Sequence, residues 1–174
     1  MSELNAIDAS SLNSEIGGLI LPIGLRIDQI RIQTAAIRLE FQPFRIALSE
    51  PGKVEATITE SDLQTYLNVK APGGLKDFEV LMADEKIAVT ATAKVVFEIR
   101  ATALCRLEIL EGTKLNIVLE SVSVPIAHNI VQNQLAQINP VLDISELPIE
   151  GTLDRAVPGN GKLELLISAS KSSN

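Results

Sequence analysis

Apolar and polar residues alternate without interruption through the middle of the chain, from Ile87 to Ile109. Every odd-numbered position in this stretch is apolar, whereas the even positions include Thr90, Lys94 and Glu98. A period of two is typical of a β-sheet with one dry face and one wet face. A single strand of this length would span about 75 Å at about 3.3 Å per residue, far more than usual. The pattern therefore predicts either a hairpin that turns near Lys94 or one unusually long, bent strand.

Shorter alternating segments on both sides of this stretch predict further strands that are joined by tight turns. Glu111–Gly112 and Val157–Gly161 have the composition of such turns. Hairpin connections imply an antiparallel sheet with helices packed on one face, so we expect the α+β class. We expect one domain over residues 1–174, with an N-terminal helix and loop lead-in at 1–24, sheet and helices at 25–170, and a tail at 171–174.

Two segments have helical spacing instead of alternation. The first follows Thr59, which together with Asp62 fits a capping box at a helix N-terminus. The second begins at Pro125 and ends at Asn139, before Pro140. The apolar stripe of this second helix consists of Ala127, Ile130, Val131, Leu135 and Ile138.

Gln134 lies at the centre of that apolar stripe. A lone amide in such a place costs free energy unless it is hydrogen-bonded. Two interpretations are open. Either a carbonyl or a buried water satisfies the side chain, or Gln134 makes a polar contact to a ligand inside an apolar cavity.

The composition indicates an aliphatic interior and argues against nucleic acid as a partner. Apolar residues make up 46% of the 174 residues, but aromatic residues only 3%. Such an interior suits alkyl chains as neighbours, and it suits an ordinary packed sheet equally well. The formal net charge is −7 and the sequence pI is about 4.8. An acidic chain without a basic stripe repels phosphate backbones.

No segment of the sequence has the roughly 18 consecutive apolar residues that a membrane span needs, and the first residues carry no basic n-region. We therefore expect a soluble protein that is cytoplasmic or peripheral to a membrane. The segment Gly17–Gly24, GGLILPIG, is apolar and broken by Pro22. It is either a buried loop that leads into the first strand or an exposed apolar tip that dips into a membrane surface.

The sequence contains no constellation that requires an enzyme. His128, the single histidine, falls on the polar side of the second helix and has no partner at metal-ligand spacing. Nucleotide-binding glycine loops and nucleophile-elbow motifs are absent from the sequence. Cys105 is alone, which excludes an internal disulfide and indicates a small buried apolar residue. We expect no catalytic residue, no metal site and no cofactor.

Several short motifs follow one another in order between Thr57 and Ser168, which is about two-thirds of the chain. They are ITESDLQTYLN, ADEKIAVTATAKV, SVSV before the second helix, NPVLD after it, and LP before the final hairpin. In this order they resemble the LmeA-like family, bacterial domains that are regarded as phospholipid-binding.

The resemblance implies a tubular lipid-binding type of fold, in which a long, strongly curved antiparallel sheet wraps an amphipathic helix, with one or two short extra helices. Acyl chains can lie in the seam between sheet and helix, with the headgroup at the rim. The resemblance also implies a phospholipid or other acyl-chain ligand, a carrier role or contact with a membrane surface, and a homodimer. The sequence differs from the family pattern in two respects. We do not recognise the leader or anchor that family members typically carry, and the short apolar loop that the family usually has near Lys94–Val96 is compressed here.

No motif of the family names ligand contacts, so we choose candidate contacts from periodicity. On the helix they are Ile130, Val131, Gln134, Leu135 and Ile138, and on the long alternating stretch Phe97, Ile99, Leu107 and Ile109. We expect all of them to pack in the core, and lipid contact is the secondary expectation. The alternative is a non-enzymatic structural or interaction module with a filled core that dimerises through a sheet edge.

Overall fold

A computed structural model describes residues 6–41, 44–48, 50–70, 75–94, 98–146 and 150–170. Antiparallel sheet makes up 64% of the structure. The strands are β1 (Ala6–Ala9), β2 (Leu12–Ile20), β3 (Arg26–Thr34), β4 (Ile37–Phe41), β5 (Phe44–Leu48), β6 (Gly52–Thr59), β7 (Leu75–Ala83), β8 (Lys86–Lys94), β9 (Glu98–Leu110), β10 (Lys114–Val122), β11 (Leu142–Asp143), β12 (Gly151–Gly159) and β13 (Lys162–Ala169). The helices are α1 (Glu60–Lys70) and α2 (His128–Ile138), and 3₁₀ turns lie at Pro125–Ala127 and Ile144–Glu146.

The described strands form three sheets. Sheet I has the order β1-β4-β5, sheet II the order β11-β10-β9-β8-β7, and sheet III the order β12-β13-β6-β3-β2. Helix α1 contacts β3, β6 and β7, whereas α2 contacts β10 of sheet II. The predicted combination of antiparallel sheet and helices is confirmed at this level, with a curled half-barrel sheet and two helices. Neither helix in the described part of the chain has the length and hydrophobicity needed to cross a membrane.

The long alternating stretch is a hairpin, the first of the two predicted possibilities. Strands β8 and β9 pair from Ile87 opposite Cys105 to Lys94 opposite Glu98. The residues that connect them, 95–97, lie outside the described ranges. Because the register pairs odd positions with odd positions, the apolar residues of both strands share one face of sheet II.

The expectation of an N-terminal helix within residues 1–24 was wrong for the described part of this segment, residues 6–24. Strand β1 pairs with β4, and β2 pairs with β3 along its length. A short helix is marginal in water, whereas a neighbouring strand supplies partners for the backbone of the whole segment. The apolar segment Gly17–Gly24 combines both of its predicted environments, since Leu21 is buried but Ile20 is 66% exposed.

The predicted capping box at the start of α1 is confirmed. The Asp62 N–H donates to Thr59 Oγ1 at 3.1 Å, and the Thr59 N–H donates to Asp62 Oδ2 at 3.4 Å. Arg26 adds a hydrogen bond from Nη1 to Asp62 Oδ1 at 2.9 Å. Burial raises the pKa of the Asp62 carboxyl, but the bonds from Thr59 and Arg26 outweigh burial and lower that pKa below its ordinary value. This end of α1 is therefore fixed to β3.

Candidate functional site

An apolar cavity of about 60 Å³ lies between α2 and the inner face of sheet II. It is several times larger than the roughly 10–15 Å³ that a single water needs. All five residues predicted on the helix line it, and Leu67 of α1 closes one side. Gln134 is the polar residue among the described residues of the lining. The others are apolar: Leu67, Leu75, Phe78, Val89, Ala91, Ala93, Ala101, Ala103, Cys105, Ile117, Ala127, Ile130, Val131, Leu135 and Ile138.

Four of the residues that line the cavity from β8 and β9 are alanines. Ala91 lies opposite Ala101 in the β8–β9 pair, Ala103 lies next to it on β9, and Ala93 follows on β8. A methyl group reaches less far from the sheet than the side chain of Leu or Ile. These positions therefore leave a space beneath α2 that larger side chains would fill. We call Ala91, Ala93, Ala101 and Ala103 the alanine wall.

Sequence reasoning missed the alanine wall because it selected the largest apolar side chains of the alternating stretch. Two pairs of alanines at inward positions, one pair on each arm of the predicted hairpin, were the available signal, since small residues on a dry face predict unfilled volume.

The described candidates on the long stretch, Ile99, Leu107 and Ile109, do not join the helix residues at the cavity. Leu107 and Ile109 lie farther along β9, where they are partly buried against the core. Ile99 is half-buried opposite Ala93 at the other end of the strand and is not among the described lining residues. Phe97 falls outside the described residues. The cavity occupies only the part of sheet II that α2 covers, and periodicity does not show which part of a strand that is.

The amide of Gln134 is incompletely satisfied. Its Oε1 atom is buried and has no hydrogen-bond partner in the described part of the molecule. Leaving such an acceptor without a donor costs about 1–3 kcal/mol. No described residue therefore satisfies this oxygen, which belongs to a residue of a cavity lining whose other described members are apolar.

The two ends of α2 are fastened to sheet II by short polar motifs. Before the helix, the Ser123 N–H donates to the Thr102 carbonyl at 2.9 Å, and Ser123 Oγ accepts from the Thr102 N–H at 2.9 Å. After the helix, Asn139 bonds to the backbone of Ile117. The motifs SVSV and NPVLD thus have a structural role. Between these ends, none of the residues of α2 is fully buried.

The thiol of Cys105 lines the same cavity and is protonated at neutral pH. Burial raises its pKa to about 12, so at neutral pH the thiolate is nearly absent. His128 is exposed at the start of α2 and is not among the described residues that line the cavity. The described residues contain no group of three or more His, Cys, Asp or Glu side chains that could hold a metal ion.

Exposed apolar side chains lie next to lining residues. Val69, two residues after Leu67, is 74% exposed, and Ile126, directly before Ala127, is 71% exposed. Ile20 precedes the turn of Leu21–Gly24, and a Cβ added to Gly24 would lie 3.2 Å from the Lys70 Cε at the end of α1. The C-terminal end of α1 and the 3₁₀ turn before α2 therefore present apolar side chains to solvent, close in sequence to residues that line the cavity.

A sequence model described as LmeA-like phospholipid-binding matches residues 8–168 of the chain. The resemblance predicted from the motif order is confirmed, and the match begins well before Thr57, in β1. No curated protein and no solved structure matches the chain.

Proposed function

We propose that this chain, which belongs to the LmeA-like phospholipid-binding family, holds the acyl part of a phospholipid or other acyl-chain lipid between α2 and sheet II. The observation that carries the proposal is the apolar cavity beneath the amphipathic helix. Family membership supports a lipid as the ligand, and the cavity supports this seam as its place. The chain of the lipid binds because its methylenes leave water, at about 0.8 kcal/mol for each buried CH₂.

Helix α2 moves away from sheet II when the lipid enters. The cavity of about 60 Å³ holds only part of a long acyl chain, so the ligand has to widen it. The middle of α2 is suited to this movement because its apolar side chains are only half-buried, while Ser123 and Asn139 hold its two ends. On binding, Ile130 and Leu135 exchange contacts with the sheet for contacts with the lipid. The result is the wrapped arrangement of helix, ligand and curled sheet.

The lipid enters and leaves at a membrane surface. Val69 and Ile126 support this step because each is an exposed apolar side chain within two residues of one that lines the cavity. Apolar side chains that gather beside a cavity are typical of surfaces that contact a membrane or another apolar partner. The charged headgroup stays at the rim, since the lining supplies no charged residue among those described.

The role is binding, without catalysis. The family description names phospholipid binding. The raised pKa of Cys105 and the exposed position of His128, which is not among the described lining residues, favour the same role.

Native mass spectrometry of freshly purified protein, followed by organic extraction, tests the proposal. We expect a stoichiometric acyl-chain lipid in the extract, or uptake of one fluorescent phospholipid or fatty acid per protein molecule after delipidation. A protein that carries no lipid and takes up neither probe would overturn the proposal. If such a protein were also dimeric, the result would favour an interaction module with a filled core.

A further inference from the structure

We infer, resting on the proposed lipid site, that the part of the lipid that enters the cavity carries a neutral hydroxyl group, and that this hydroxyl donates a hydrogen bond to Gln134 Oε1. The chemical class is an alkyl chain with a free hydroxyl near its polar end, as in a monoacyl or monoalkyl glycerophospholipid. A diacyl phospholipid has no free hydroxyl at that position because both chains occupy the glycerol oxygens.

The argument begins with the unsatisfied acceptor. Gln134 Oε1 is buried and receives no hydrogen bond from any described residue. Cys105 lines the same cavity and has a weak donor, yet its thiol makes no bond to this oxygen. A buried acceptor without a donor is a cost to the folded protein, and a ligand that supplies the donor removes that cost on binding.

A water molecule is a poor substitute for this donor. The cavity of about 60 Å³ has room for one, but a buried water typically needs two to four polar partners. The described lining offers it Gln134 and otherwise only apolar side chains. A hydroxyl that is attached to an alkyl chain needs no further partners to stay in place, because burial of the chain holds it there.

The donor is neutral because the described part of the lining contains no counter-ion. An ammonium group in this cavity would lose its hydration without gaining a carboxylate, which is strongly unfavourable. A hydroxyl is the donor that a glycerol backbone carries without charge. The phosphate of the same lipid remains outside the apolar lining.

Two lipids that differ in one group test the inference. They are 1-O-octadecyl-glycero-3-phosphocholine, which has a free 2-hydroxyl, and its 2-O-methyl ether, both used below the concentration at which they form micelles. Displacement of a fluorescent fatty acid from the delipidated protein measures their affinities. We expect the wild-type protein to prefer the free hydroxyl by about tenfold, the effect of one hydrogen bond to an otherwise unpaired buried group.

Substitutions at Gln134 test whether this residue causes the preference for the free hydroxyl. Gln134→Leu, and Gln134→Met as a second variant of similar length, should abolish the preference while still binding the methyl ether. Gln137→Leu, an exposed glutamine on the same helix, should leave the preference unchanged.

Three other outcomes would contradict either the hydroxyl inference or the proposed function. If the wild-type protein binds both lipids equally well, lipid binding stands and the hydroxyl inference fails. A preference that survives in both Gln134 variants also overturns it, because the hydroxyl is then recognised elsewhere. Failure to bind either lipid, together with a lipid-free extract, overturns the proposed function and this inference with it.

Discussion

The side chain of Asn139 hydrogen-bonds to both backbone groups of Ile117. Asn139 Oδ1 accepts from the Ile117 N–H at 2.9 Å, and Nδ2 donates to the Ile117 carbonyl at 2.8 Å. The short strand β11 pairs with β10 at Lys114 and Leu115, and the amide of Asn139, which precedes β11, extends the hydrogen bonding along β10 to Ile117. Because Ile117 lines the cavity, this contact fixes the C-terminal end of α2 directly to the cavity wall.

Loss of this contact should destabilise the fold. Asn139→Ala removes a donor and an acceptor from two partly buried backbone groups, and we expect the free energy of unfolding to fall by about 2–3 kcal/mol. Urea denaturation followed by circular dichroism measures it. Asn133→Ala, at an exposed position of α2, should change the free energy by less than about 0.5 kcal/mol. Equal effects of the two substitutions would show that the Asn139 bonds contribute nothing specific.

Filling the alanine wall should prevent lipid binding. Ala101→Leu places a larger side chain in the cavity of about 60 Å³ between β9 and α2. We expect the affinity for a fluorescent acyl-chain probe to fall by at least about tenfold, which corresponds to about 1.4 kcal/mol. Ala88→Leu is the matched control because it makes the same change on the opposite face of β8, opposite Leu104. Unchanged binding by a folded Ala101→Leu protein would place the lipid elsewhere.

Stability should depend on the ionisation of Asp62. Its pKa is lowered in the folded protein, so the carboxylate contributes stability above the ordinary carboxyl pKa of about 3.9, and this contribution is lost as the pH falls through the lowered pKa. Asp62→Ala should therefore reduce the free energy of unfolding by about 1–2 kcal/mol at neutral pH. The difference from wild type should shrink toward pH 2.

Urea unfolding at pH 7 and at pH 2.5 checks this dependence. Glu50→Ala removes one exposed negative charge that is distant in sequence from the cap and serves as the control. A difference between Asp62→Ala and wild type that is the same at both pH values would mean that the lost packing of Asp62, and not its charge, causes the effect.

Transfer of lipid between membranes should depend on the exposed apolar residues beside the cavity. A charge at Val69 or Ile126 opposes contact with a bilayer, so Val69→Asp and Ile126→Asp should slow transfer of a fluorescent phospholipid between phosphatidylcholine vesicles. Affinity for a monomeric lipid in solution should stay unchanged. Leu81→Asp is the control. Leu81 is 60% exposed, but it lies near the C-terminal end of β7, beside the turn into β8, whereas Val69 lies before the N-terminal end of β7. Equal slowing by all three variants would argue against a specific docking surface.

Local pattern predicted those features that depend on a few neighbouring residues. The period of two from Ile87 to Ile109 indicated a dry sheet face, and the reciprocal bonds of Thr59 and Asp62 followed from their spacing. The order of short motifs indicated the LmeA-like family, and the family match confirms it. The N-terminal segment was predicted wrongly because its strands depend on partners in β3 and β4, which local spacing does not reveal.

The sequence was sufficient to show which face of each strand and helix is apolar, because the geometry of a strand or helix converts spacing directly into a face. The tertiary structure was needed to show where two such faces meet without filling the space between them. That space depends on which part of sheet II lies under α2, and therefore on the pairing of distant strands and on the contact between Asn139 and Ile117. The alanine wall and the unpaired oxygen of Gln134 become a candidate binding site only once that contact places α2 above them.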